Sequence, residues 1–292
     1  MRHMDSVLVL IATPGSGAIT PQVIDAMRDL GSGGPHWLSK SEACEVDIFA
    51  RLPEFLIGLR SHKIDAAVVS IHDRRKPLLL ADMDSTMIQQ ECIDELGVVA
   101  GVGDHIKAVT AKAMRGELDF DAALRERVAL LEGLPATVVD DVLKTRITLM
   151  PGGKVLLDTM KAQGAYAALV SGGFTSFTGP IAAALGFDEN RANHLEIIDG
   201  RLTGRVIPPI LGKEAKVEAL RQICARLGFS AEQVLAVGDG ANDIPMLQAA
   251  GIGVALHAKP VVQEQAKVVI NHSDLTALLY LQGYHRDEFV NV

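Results

Sequence analysis

The 292-residue chain exceeds the usual size of one domain, so two compact units, or one core with a large insertion, are expected. Its 28 basic and 36 acidic residues give a net charge of −8, and no long Lys/Arg block is present, which excludes a protein that tracks nucleic-acid phosphates. Three scattered cysteines, Cys44, Cys92 and Cys224, argue against a disulfide framework or a zinc knuckle, and every apolar run stops well short of the ~18 residues that cross a bilayer. A soluble, cytoplasmic protein with neither a nucleic-acid nor a membrane partner is therefore expected.

Residues 7–12 are too short for a secretory apolar region and read as a first strand. A helix over 21–30 follows, then strands around Trp37 and over 46–50, a helix over 53–61 and a strand over 66–71. The order βαββαβ predicts a small α+β, ferredoxin-like domain over 1–76. The polar stretch His72-Asp73-Arg74-Arg75-Lys76-Pro77 breaks the apolar pattern as a linker would. Helical periodicity without strand-like runs marks 89–146 as a helical insertion. Beyond it, helices over 154–163, 181–185 and 213–227 alternate with strands over 166–170, 234–237, 253–255 and 268–270. That alternation belongs to a parallel α/β sheet covered on both faces, built from 77–88 and 147–292.

Four segments carry chemistry. Asp82-Met83-Asp84-Ser85 directly follows the apolar run 78–81, where an open α/β sheet presents its reactive carboxylates. Alone, Asp-x-Asp is common as a turn or cap. Ser171-Gly172-Gly173 follows another apolar strand, and a hydroxyl beside glycines lets backbone N–H groups approach an oxyanion; a loop with a helix cap reads equally well. Lys216, near the start of a helix, gains interest only from lying between that loop and the acidic cluster Gly238-Asp239-Gly240-Ala241-Asn242-Asp243. This cluster follows the apolar run 234–237, and it lacks the remaining ligands of a calcium loop. Carboxylates crowded at one sheet edge repel one another without a hard cation, so Mg²⁺ is implied.

The order Asp-x-Asp-Ser-Thr, Ser-Gly-Gly, Lys, Gly-Asp-Gly-Ala-Asn-Asp, each at a strand end, resembles the haloacid dehalogenase superfamily of phosphohydrolases. Within it, the stretch 78–274 is similar to the phosphoserine phosphatase family, and the match continues into the insertion. There it rests on Glu91 in Gln-Glu-Cys-Ile-Asp-Glu, Met114 and Phe120 in Ala-Met-Arg-Gly-Glu-Leu-Asp-Phe, and Arg127 in Leu-Arg-Glu-Arg-Val. The resemblance implies a Rossmann-like parallel-sheet core carrying an inserted helical cap. It also implies hydrolysis of O-phospho-L-serine to L-serine and phosphate, the last step of serine biosynthesis. Asp82 would be the nucleophile, Asp84 the acid and then the base, and Ser171, the Gly172 backbone and Lys216 the phosphate ligands. Mg²⁺ would sit on the Asp82 carboxylate, the Asp84 carbonyl and Asp239, with Asp243 behind them and Asn242 near the substrate. Glu91 would meet the substrate ammonium and Arg127 its carboxylate, with Met114 and Phe120 as the apolar wall. Read alone, Arg127 is a solvated helix charge and Phe120 an ordinary core aromatic.

The amino-terminal unit resembles an ACT-type regulatory domain in its element order and in the loop Thr13-Pro14-Gly15-Ser16-Gly17, without the acidic residue that family carries before its Pro-Gly pair. Regulation by L-serine is the implied role; a packing or dimerisation module, giving a homodimer, is the alternative. Two rival functions remain: a phosphatase or phosphotransferase for another phosphomonoester, and a sensor that binds without turnover. The intact set Asp82, Asp84, Ser171, Lys216 and Asp239 argues against a sensor, which needs no nucleophile and acid together.

Overall fold

The computed structural model describes residues 5–29, 33–48, 52–59, 62–114, 117–212 and 214–292. Two compact units are formed, one from Met1–Leu79, Pro151–Tyr166 and Phe229–Val292, the other from Leu80–Met150 and Ala167–Gly228.

In the first unit, β1 (Ser6–Ala12), α1 (Pro21–Asp29), β2 (His36–Ser39), β3 (Ala43–Asp47), α2 (Leu52–Leu59) and β4 (Ile64–Ser70) follow the βαββαβ order read from the sequence. The strands pair antiparallel in the order β2-β3-β1-β4, the arrangement of a ferredoxin-like sheet. Alternation along β1 turns Leu8, Leu10 and Ala12 into a core with Val23, Met27, Phe55 and Leu59. Val9 and Ile11, on the other face, are equally buried, and the wholly buried helix α12 (Ala277–Leu281) packs on β1. Each such aliphatic side chain contributes about 1.5–3 kcal/mol, against about 0–1 kcal/mol for a surface ion pair, so apolar burial dominates here.

Polar contacts then fix the register of this packing. Asp65 on β4 is a buried carboxylate that accepts the N–H groups of Asn271, His272 and Ser273 at 2.8, 3.0 and 2.9 Å, and Thr13 Oγ1 donates to the His272 carbonyl at 2.6 Å. The basic stretch after β4 is also packed. Arg75 lies 4.0 Å from the Tyr284 ring centroid and donates to both oxygens of Glu288 at 2.8 and 2.9 Å, while the Lys76 N–H donates to Gln282 Oε1 at 2.8 Å. The rest of the unit is parallel α/β. β9 (Val234–Gly238), β10 (Ile252–Leu256) and β11 (Val268–Ile270) run parallel, with Ile252 beside Leu235 and Val254 beside Val268. Every residue of β9 and β10 is buried, as strands covered on both faces require. The helices are α7 (Gly153–Ala162), α10 (Ile244–Ala249) and α11 (Pro260–Gln263).

The second unit opens on the last two residues of β5 (Leu78–Ala81) and continues into the insertion as α3 (Cys92–Val99), α4 (Gly103–Met114), α5 (Phe120–Ala129) and α6 (Val138–Thr145). The insertion leaves and returns side by side, because Gln89 N–H donates to the Thr148 carbonyl and Met150 N–H to the Met87 carbonyl, both at 2.9 Å. β6 (Tyr166–Phe174), α8 (Thr175–Leu185), β7 (Glu189–Ile198), β8 (Arg201–Ile207) and α9 (Ala215–Leu227) complete it, with β7 parallel to β6 and antiparallel to β8.

Several expectations shift. The helix placed at 181–185 begins at Thr175, the strand placed at 166–170 runs on to Phe174, and the strand placed at 46–50 occupies 43–47. The β7–β8 hairpin is absent from the sequence reading. Its turn is made by Asp199 and Gly200, both at positive φ (49° and 72°), the geometry a two-residue hairpin demands. Leu30, Ala50, Ser61 and Lys213, used in the predicted elements, lie outside the described residues. No helix among the described residues is long and apolar enough to cross a membrane.

Candidate active site

The turn after β5 is wound tightly around one carbonyl. Met83 O accepts the N–H groups of Thr86, Met87 and Ile88 at 3.2, 2.8 and 3.1 Å, and Ser85 takes positive φ (54°) to make the bend. This holds Asp82 and Asp84 still. The buried Asp82 carboxylate accepts the Met83 N–H at 2.7 Å through Oδ1, and Lys216 Nζ, also buried, lies 2.7 Å from the same oxygen. A buried ion pair is weak evidence of stability, because desolvation offsets much of its attraction. Its survival points to chemistry.

Asp84 is held differently. Its Oδ1 accepts the Cys92 N–H at 2.8 Å, and its Oδ2 lies 3.3 Å from Ser171 Oγ, which in turn accepts the Gly173 N–H at 2.8 Å. Burial above all, then the Glu91 carboxylate, pushes the Asp84 carboxyl up to about 6, with the Cys92 N–H and Lys216 pulling the other way. A carboxyl so placed can carry a proton near neutrality, as a general acid must. A Cβ on Gly173 would sit 2.8 Å from Asp84 Oδ2, so only glycine admits this approach.

Of the cap residues, Phe120 reaches the Ser171 loop. Phe120 opens α5, whose N-cap Asp119 accepts the Ala122 N–H at 2.7 Å, and a Cβ on Gly172 would lie 3.0 Å from the Phe120 ring. Glu91, at the N-cap of α3, accepts from Ser85 Oγ at 2.9 Å. The Arg127 Nε donates to the Ala123 carbonyl one turn back at 3.1 Å. Burial lowers the Arg127 pKa, and the acids Asp94, Glu91 and Asp84 oppose it. Met114 ends α4; its side chain lies outside what the structure describes.

In the first unit, the turn after β9 carries the second acidic cluster. Asp239 and Asp243 are buried and offer carboxylate oxygens within 4.8 Å of each other. Asp243 Oδ2 accepts the Gly240 N–H at 2.9 Å, and the Asp243 N–H returns to the Gly240 carbonyl at 2.9 Å. A Cβ on Gly238 would collide with the Asp243 carboxylate, which is why that position is glycine. Asn242 is half-buried on the same turn. Hard oxygen donors at this spacing fit a hard divalent cation such as Mg²⁺.

The sequence pattern of the haloacid dehalogenase-like hydrolases matches residues 79–248, a span that holds every one of these side chains. The chain belongs to that family. As a haloacid dehalogenase-like hydrolase, it is 48% identical over 227 residues to a phosphoserine phosphatase of Streptomyces coelicolor, covering 77% of this chain. The chain spans 55% of that relative's length. A haloacid dehalogenase family hydrolase from Salmonella enterica serovar Typhi superposes with a TM-score of 0.83 at 32% identity, covering 97% of this chain and 99% of the other. A structure described as a phospho-aspartyl intermediate analogue of phosphoserine phosphatase is 42% identical, with a TM-score of 0.66, covering 70% of this chain and 98% of the other.

Three contacts of the hydrolase site were not anticipated from sequence: the Cys92 N–H on Asp84, the Ser85 hydroxyl on Glu91, and the Asn193 amide on the Ser171 loop. The Ser85 contact had a signal, since a Ser six residues before a Glu across a tight turn can fold back onto it. A backbone N–H has none.

Proposed function

We propose that the protein is a Mg²⁺-dependent phosphoserine phosphatase that works through an aspartyl-phosphate intermediate, closing serine biosynthesis in the cytoplasm. The observation that carries this reading is the buried Asp82–Lys216 pair at 2.7 Å beside Asp84, whose carboxyl lies 3.3 Å from Ser171 Oγ and is pushed up in pKa by burial. One carboxylate is thereby prepared as a nucleophile and the other as an acid.

In the first step an Asp82 oxygen bonds to phosphorus as the bond from phosphorus to the seryl oxygen breaks, and Asp84 gives its proton to that oxygen. In the second, water attacks the same phosphorus, its proton passes to the Asp84 carboxylate, and the Asp82 carboxylate is released with phosphate. Ser171 Oγ and the Gly172 N–H bind phosphoryl oxygens, and Lys216 offsets the charge that remains. Mg²⁺, held by the Asp82 carboxylate, the Asp84 carbonyl and Asp239 with Asp243 behind them, would neutralise the phosphoryl oxygens.

Substrate choice rests on the cap. Burial lowers the Arg127 pKa while three nearby acids oppose it, and its planar fork can pair both oxygens of a substrate carboxylate. Glu91, which accepts from Ser85, would meet the ammonium, with Phe120 and Met114 as the apolar side and Asn242 as a further substrate ligand. The test is kcat/KM on O-phospho-L-serine against other phosphomonoesters. A preference that disappears in Arg127→Ala supports the assignment; equal turnover of a phosphomonoester without an amino-acid head overturns it. For the amino-terminal sheet we keep L-serine binding as a regulatory reading, tested by calorimetry with L-serine on the full chain; no heat of binding beyond the active site would reject it.

A further inference from the structure

The Ser171-Gly172-Gly173 loop interrupts the ladder between β6 and β7. Val170 pairs with Arg191 and Phe174 with Asn193, so three residues of β6 stand opposite the single residue Ala192. A bulge of this kind leaves main-chain groups without strand partners, and buried ones must find others. Here the partner is a side chain. Asn193 is 1% exposed, and its Nδ2 donates to the Gly172 carbonyl at 2.8 Å and lies 3.4 Å from the Leu211 carbonyl, while its Oδ1 accepts the Leu211 N–H at 2.7 Å. Two carbonyls on one side and one N–H on the other fix the orientation of the amide.

The consequence runs through a rigid unit. The Gly172 carbonyl and the Gly173 N–H belong to one planar trans peptide and point in opposite directions. Anchoring the carbonyl on Asn193 therefore aims the Gly173 N–H at Ser171 Oγ, which it meets at 2.8 Å, and leaves that hydroxyl to donate on its other side, where Asp84 Oδ2 lies 3.3 Å from Oγ. The same amide holds Leu211, directly before Gly212, whose carbonyl accepts the Ala215 N–H at the start of the helix that carries Lys216.

We propose that Asn193 is a positioning residue for phosphoryl binding: by anchoring the Gly172–Gly173 peptide it sets the direction of the Ser171 hydroxyl, and by holding Leu211 it sets the approach to Lys216. The inference rests on the phosphoryl-transfer reading of this site and is independent of which phosphomonoester is cleaved.

The test uses orthovanadate, a mimic of the transferring phosphoryl group, bound to the full chain with Mg²⁺, beside steady-state kinetics. Asn193→Asp keeps an acceptor for the Leu211 N–H and replaces the donor to Gly172 with a second oxygen. It should weaken vanadate and lower kcat together by about 10- to 100-fold, below the 10²–10³ of losing a direct oxyanion donor, with KM changed far less. In a Ser171→Ala background the same substitution should add little, because the hydroxyl it orients is gone. If Asn193→Asp does not fold, Asn193→Ala, which also frees Leu211, is read by its vanadate affinity alone, which should fall at least as far. Unchanged vanadate affinity with a lowered melting temperature, or losses that multiply in the double variant, would overturn the proposal. Vanadate binding needs no turnover, so a wild-type protein that binds it yet ignores phosphoserine rejects the substrate reading alone.

Discussion

The turn after β5 and the turn after β9 begin alike, each an aspartate at the end of a fully buried apolar strand, yet they are finished differently. After β5, Asp82 is matched by the Lys216 ammonium at 2.7 Å, and Asp84 is shared between a main-chain N–H and the Ser171 hydroxyl. After β9, Asp243 takes a main-chain N–H of its own turn and lies with Asp239 close enough to share an ion. A carboxylate that must attack an anion needs a cation at its back, whereas carboxylates that hold a cation need only be kept in place. On the proposed reading, the first turn supplies the attacking carboxylate and also a metal ligand, Asp82, whereas the second supplies metal ligands alone.

Substitutions can break that division. The largest effect belongs to Asp82→Asn, which should lower kcat by about 10⁴-fold or more, since the covalent route is lost. Phosphate release measured under single-turnover conditions checks it, and residual turnover within tenfold of wild type would move the nucleophile elsewhere. Lys216→Ala comes next, with kcat reduced about 10²–10³-fold as a fixed charge facing the phosphoryl group disappears. Thermal melting run in parallel should show the smaller change; a protein that melts early but turns over normally would make the lysine structural.

Smaller effects sharpen the metal side. Asp239→Asn should raise the Mg²⁺ concentration for half-activation more than Asp243→Asn does, the latter by about 10- to 100-fold as for partners behind a ligand. Calorimetric Mg²⁺ titration separates the two, and the reverse order would exchange their roles. Arg127→Lys should have the smallest effect on kcat and appear mainly as a raised KM for phosphoserine, because the ammonium of lysine cannot pair both carboxylate oxygens. An unchanged KM would remove Arg127 from the substrate.

Much of the arrangement was legible in the chain because strong signals coincide with it. Apolar runs 78–81 and 234–237 are strands buried on both faces, and the aspartates directly after them fall at strand ends by necessity. The βαββαβ order of the first seventy residues was legible too, since its strands are short apolar runs separated by helical and turn segments. The β7–β8 hairpin was not. Ile197, Ile198 and Ile207 are exposed on it while Leu195, Leu202 and Val206 are buried, so its apolar residues fall on both faces and blur the alternation. Asp199-Gly200 was the signal that could have found it, the dipeptide that favours a two-residue turn. With the hairpin went Asn193, a polar residue in an unrecognised strand whose role depends on the ladder break between Val170 and Phe174. The helix α12 escaped for a related reason: Ala277–Leu281 is apolar on every side, so it shows no period, and only its burial against β1 explains its composition.

The central claim is that Asp82 becomes phosphorylated in each cycle. Rapid acid quench of the Mg²⁺-loaded protein with phosphoserine labelled in its phosphate, followed by peptide mapping, tests it directly. The account predicts a hydroxylamine-sensitive acyl phosphate on the peptide containing Asp82, formed and lost at rates that accommodate kcat and absent in Asp82→Asn. Turnover at full rate with no protein-bound phosphate, or with label on another residue, would contradict it.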